Sequence, residues 1–131
     1  MANLSGAALQ IDILTGMPDH YRVTATVNVE LDPFDRFLIN GGLPLNLYSN
    51  LWGEDSGSNR DDDLFGFPTQ TITTSGTHTF SAIVHRGVLD EDHSRLFNER
   101  DEVYNRFHLL SGSNSFPLSV AVNTPTIWGS F

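Results

Sequence analysis

The dominant period of the chain is two. From Tyr21 to Leu31, the residues Val23, Ala25, Val27, Val29 and Leu31 alternate with Arg22, Thr24, Thr26, Asn28 and Glu30. Successive side chains of a strand point to opposite faces, so this run predicts a strand with one buried and one wet face. Leu9, Ile11 and Ile13 alternate with Gln10 and Asp12 in the same way. Leu45, Leu47 and Leu51 share one parity, while Tyr48 and Trp52 share the other with Asn46 and Asn50. Further strands are expected at Leu64–Ile72, Thr77–Arg86, Val103–Leu110, Leu118–Val122 and Thr126–Phe131. Turn residues fall between them, at Met17-Pro18-Asp19, Gly41-Gly42, Ser75-Gly76, Ser111-Gly112-Ser113-Asn114 and Thr124-Pro125. Short strands with frequent turns predict an all-β fold, a single-domain antiparallel β-sandwich of about seven to eight strands.

No stretch carries a sustained helical stripe. Asp92–Arg100 allows one or two turns at most. Pro33–Gly42 is ambiguous: Phe34, Phe37, Leu38 and Ile39 are too apolar for a free loop. That segment forms either a short strand or a cover over an open end of the sandwich.

The length of 131 residues fits one domain, residues 1–131. There is no cysteine, which excludes disulfides, zinc–thiolate sites and a thiol nucleophile. No apolar run approaches the roughly 18 residues of a membrane span. Met1–Gly6 has neither a basic nor a long apolar region, so no export signal is expected in the chain as given. The net charge is −9, and the seven basic residues are all arginines, scattered singly. A phosphate backbone needs a positive stripe, so nucleic acid is not an expected partner.

The acids are not scattered. Eleven of the sixteen lie between Glu54 and Glu102. Like charges this dense repel and call for water, arginine or a cation. Calcium takes six to eight oxygen ligands, and the Ser/Gly-rich loop after Trp52 offers Asp55, Asn59, Asp61, Asp62 and Asp63. In extended backbone Asp61 and Asp63 point to one side and Asp62 to the other. Asp90 and Asp92 join that ligand set if the fold brings the two acidic stretches together, as loops at one end of a sandwich do. The EF-hand pattern fails, because counting from Asp55 puts Arg60 where glycine is required and Gly66 where glutamate is required. The competing reading is a solvated loop, or acids paired with Arg60, Arg86, Arg95 and Arg100.

Leu45–Ile72 runs as an apolar strand, then Trp52-Gly53-Glu54-Asp55-Ser56-Gly57, then Asp61-Asp62-Asp63-Leu64-Phe65-Gly66, then a further strand. This stretch resembles the third-loop region of the calcium-dependent phospholipid-binding sandwich domains of the synaptotagmin and protein kinase C type. The resemblance implies Asp55, Asp61 and Asp63 as calcium ligands. It is confined to residues 45–72, and the lysine-rich face of that family is missing, so a membrane is not an expected partner.

Tyr48, Trp52, Trp128 and Phe131 are candidates for an interface or for ligand stacking. Tyr48 and Trp52 lie on a second buried face, or on a patch that takes a protein or a carbohydrate. Arg36, Arg106 and Ile127–Phe131 suit a subunit interface. The five histidines form no His-x-His or His-x-x-x-His pair, and His78 and His85 fall on opposite faces of one strand. No nucleophile–base constellation or phosphate loop is present. The chain therefore reads as a non-catalytic binding module with a calcium-binding loop. The alternative is a structural subunit that self-assembles into a homo-oligomer or filament, its acidic loops solvated or arginine-paired.

Overall fold

In the computed structural model, residues 1–53, 62–89, 101–112 and 117–129 are described. The elements in chain order are β1 (Asn3–Ile13), β2 (His20–Glu30), α1 (Pro33–Asn40), β3 (Leu45–Gly53), β4 (Asp62–Gly66) and β5 (Gln70–Ile72). They continue with β6 (Gly76–His85), α2 (Arg86–Leu89), β7 (Asp101–Ser111), β8 (Ser119–Asn123) and β9 (Ile127–Gly129). The strands make two antiparallel sheets. The smaller has the order β1-β2-β6; in the larger, β3 and β7 are the central pair. One edge of the larger sheet is β4 followed by β5, both on β3, and the other is β8 and β9, both on β7. This is the predicted β-sandwich, with nine strands among the described residues.

The count exceeds seven to eight because the run Leu64–Ile72, expected as one strand, is two. Proline has no N–H for a ladder and is confined to sheet edges. Pro68 sits where β4 ends and β5 has not begun, and Phe67 N–H still reaches the Ser49 carbonyl at 2.9 Å. β4 pairs with the end of β3 near Gly53, and β5 with its beginning near Leu45.

Period-two burial builds the core. Val23, Ala25, Val27 and Val29 of β2 face Leu47 and Leu51 of β3 and Val103, Phe107 and Leu109 of β7, all buried. Phe67, Phe80 and Phe107 stack across the layers, with ring centroids 5.9 Å and 6.0 Å apart in succession. In β1 a bulge lies between Ser5 and Ala8. Gly6 occupies it with φ +60°, where a Cβ would sit 2.8 Å from the Asn28 amide nitrogen. Only glycine suits that combination of backbone and close approach.

One polar cluster lies inside the core. Asn105 Nδ2 donates to Ser49 Oγ at 2.8 Å, and Asn105 N–H donates to Thr124 Oγ1 at 2.9 Å. Thr124 N–H returns a bond to the Asn105 carbonyl at 2.9 Å. A one-residue slip of a strand turns every side chain over, and a buried polar pair resists it. The cluster therefore holds β7 in the register that turns Tyr104, Arg106 and His108 outward.

Within the ambiguous segment Pro33–Gly42, Pro33–Asn40 is the helix α1, not a strand. Asp32 caps it: its Oδ1 accepts from Asp35 N–H at 2.8 Å, while Asp35 Oδ2 accepts from Asp32 N–H at 3.0 Å. Pro33 stands in the first turn, and Gly41 N–H closes the last turn on the Phe37 carbonyl at 3.0 Å. An acid at the N-cap, proline just inside and glycine just past the end form a start-and-stop pattern that an eight-residue helix shows more clearly than any stripe. The Met1 ammonium and the Asp35 N–H hold the Asp32 carboxyl down to about 2, whereas burial pushes Asp35 up. The other helical expectation, Asp92–Arg100, lies outside the described residues.

Candidate functional site

The outer face of the larger sheet carries the side chains that the core does not use. Register decides which of them meet. On β3 and β7, Tyr48 lies opposite His108, Asn50 opposite Arg106, and Trp52 opposite Tyr104. These partners are about 5 Å apart at Cβ, and alternate residues along a strand are about 6.6 Å apart. On β9, Trp128 lies opposite Glu102, on the same outward parity as Tyr104.

The result is a shallow groove of about 390 Å³ lined by Tyr48, Asn50, Trp52, Arg106, His108 and Leu110. Tyr48 is 38% exposed and Trp128, beyond the groove, is 59% exposed. Trp52 is half-buried, and its indole Nε1 is buried with no hydrogen-bond partner among the described residues. Such a donor is costly to leave unpaired. His108 is anchored: its Nε2 is hydrogen-bonded to Ser119 Oγ on β8 at 2.7 Å, which leaves Nδ1 as the untethered ring nitrogen. Asn50 and Arg106 make no side-chain hydrogen bond or ion pair to the described residues. Aromatic surface flanking unspent amide and guanidinium donors can stack a ring and bond its polar rim.

Of the predicted stacking residues, Tyr48 and Trp52 are brought together on β3, Trp128 is on the same face, and Phe131 lies outside the described residues. Among the described residues no further layer packs on this face, where Tyr48 is exposed and Trp52 half-buried. Arg106, expected at a subunit interface, stands in its middle. Asn50, His108 and Tyr104 were not singled out for this site. The available signal was parity: all three are out of phase with the buried leucines and valines of their strands, Leu47, Leu51, Val103 and Leu109.

Of the predicted calcium ligands, Asp63 is described and is exposed, as the cross-strand partner of Trp52. Asp55, Asn59, Asp61, Asp90 and Asp92 lie outside the described residues. The places where their segments join the fold are described. Gly53 pairs with Asp62 on one side and with Val103 on the other. Leu89 is fully buried at the end of α2, which packs against β4. Gly53 and Asp62, which flank 54–61, therefore lie beside Val103, close after 90–100 in the chain. Among the described residues no group of three or more histidines and acids is placed to hold a metal. The fold does bring two histidines together: His20 and His85 are cross-strand partners in an edge-to-face contact of 5.3 Å. Their Nδ1 atoms are already engaged, by the Pro18 carbonyl and the Gly87 N–H.

Comparisons with protein-family models, curated proteins and solved structures returned no match, so the chemistry of the face itself carries the reading.

Proposed function

We propose that this is a non-catalytic binding module that holds carbohydrate across the outer face of its larger sheet. The observation that carries the reading is the groove of about 390 Å³, in which Tyr48 and Trp52 flank the unspent donors of Asn50 and Arg106. Sugars present apolar C–H faces that stack on aromatic rings and hydroxyl rims that take hydrogen bonds. The groove is also open and shallow, which suits a chain lying along it better than a small molecule enclosed in it. Calorimetric titration with neutral and acidic oligosaccharides tests the reading. Saturable binding that quenches tryptophan fluorescence is expected, and a panel without any binder removes it.

Calcium belongs to this proposal as a brace rather than as the ligand. The observation in its favour is that Asp62 and Val103, described residues near the ends of the two acidic segments, both pair with Gly53 at the Trp52 end of the groove. An ion bound only by the folded chain must stabilise it. At ten times its Kd, a single calcium ion adds about 1.4 kcal/mol, or about 5 °C in melting temperature for a chain this size. The melt is run with calcium and then with chelator; equal midpoints dismiss the ion.

A second reading, the self-assembling subunit, is favoured by one observation. Phe34 and Phe37 of α1 are 50% and 71% exposed beside an apolar cleft of about 210 Å³. On this reading light scattering shows an oligomer that Phe37→Ala disperses. A monomer from micromolar to millimolar concentration removes it.

A further inference from the structure

The chain has a net charge of −9 and no lysine, yet the centre of its groove carries a guanidinium. Arg106 lies opposite Asn50, midway between Tyr48 and Trp52 on β3. Two other arginines are committed, and Arg22 lies on β2 of the smaller sheet. Arg86 reaches Asp19 at 3.5 Å, and Arg36 donates to the Leu31 carbonyl at 3.2 Å. Arg106 has no such partner among the described residues. A guanidinium is a fork of donors that matches a carboxylate in plane and spacing. The flanks of the groove differ from its centre. At one end Asp63 is exposed beside Trp52, and Glu102 follows beyond Tyr104 on the same outward parity. At the other end stand Tyr48, His108 and Leu110.

Resting on the carbohydrate reading, we infer that the groove selects an oligosaccharide with an isolated uronic acid. Its carboxylate meets Arg106, and neutral rings stack on Tyr48 and Trp52. The spacing allows this order, since Tyr48 and Trp52 are four residues apart on one strand, about 13 Å, with the Asn50–Arg106 pair halfway. A run of consecutive uronates is disfavoured, because the ring over Trp52 would bring its carboxylate against Asp63, and like charges repel. The specificity is therefore for sparse acidity: one carboxylate accepted at the centre and a second rejected at the Trp52 end.

The test uses the full chain and a panel of trisaccharides in the order neutral–uronate–neutral. Each is titrated beside its carboxyl-reduced form, with an all-uronate trisaccharide as the third arm. The expected result is that a binding member loses about tenfold in affinity on carboxyl reduction. Arg106→Gln should produce the same loss with the native sugar and no loss with the reduced one. Arg106 is exposed, so the variant is expected to melt with the parent, which is checked directly. The all-uronate sugar should bind more weakly than the mixed one. If the reduced sugars bind as well as the acidic ones, or Arg106→Gln weakens both equally, the acidic specificity is wrong while the carbohydrate reading survives. If the all-uronate sugar binds best, sparse acidity is wrong in the same limited sense. If no sugar of any arm binds, both fall together.

Discussion

Phe107→Ala lowers the unfolding free energy by about 3–5 kcal/mol, the range for removing a fully buried aromatic ring. The ring is inaccessible to solvent and sits on β7, the inner neighbour of β3 in the larger sheet. It touches Phe80 of the smaller sheet, 6.0 Å away between centroids, and Phe80 touches Phe67 in turn. Removing it opens a cavity at the point where the two layers meet. Neighbours on β2 and β3 are themselves buried and held by their ladders, so they cannot collapse into the space. In urea, the midpoint should fall while the slope stays unchanged, because the surface exposed on unfolding is nearly the same. Trp128→Ala is the control: that ring is 59% exposed, and its loss should stay within about half a kcal/mol. A Phe107→Ala midpoint as close to the parent as the control's would mean that the aromatic bridge is not what couples the sheets.

Trp52→Ala weakens carbohydrate binding by about thirtyfold or more, the effect of losing a central aromatic anchor. Tyr48 alone cannot hold a stacked chain in register, since a single platform leaves the rest free to swing. The indole Nε1 is buried and lacks a partner among the described residues, so the value of Trp52 to a ligand lies in its ring face. Trp52→Phe separates ring area from loss of the whole platform: it keeps a smaller stacking face, so it should cost less than Trp52→Ala. Calorimetry on both variants, after their melts show a folded chain, measures the split. Unchanged affinity in Trp52→Ala would move the binding site away from this face.

The sheets were legible where a single strand decides its own pattern. The alternation from Val23 to Leu31 follows from one buried face, and no distant residue is needed to see it. The groove was less legible because it is a product of pairing. Asn50 and Arg106 are far apart in the chain, and their meeting depends on the register of β3 against β7. Parity marks both as outward, but it does not say which strand lies beside which, or whether a third layer covers them. The helix at Pro33–Asn40 escaped for a different reason. Two turns are too short for a periodic stripe, so its evidence was concentrated in Asp32, Pro33 and the glycines after Asn40. The calcium ligands were read from acid density, which says how much charge needs company and not which atoms provide it.

The break at Pro68 also limits how copies of this chain can meet. An intact outer strand offers a row of free amide and carbonyl groups on which another chain can continue the sheet. Here that row is split between β4 and β5, with a residue in the gap that has no amide to give. Fibril-like growth by strand addition has no continuous template on this side of the larger sheet. Association there has to use side-chain surfaces, which leaves the choice of partner to shape and charge rather than to backbone.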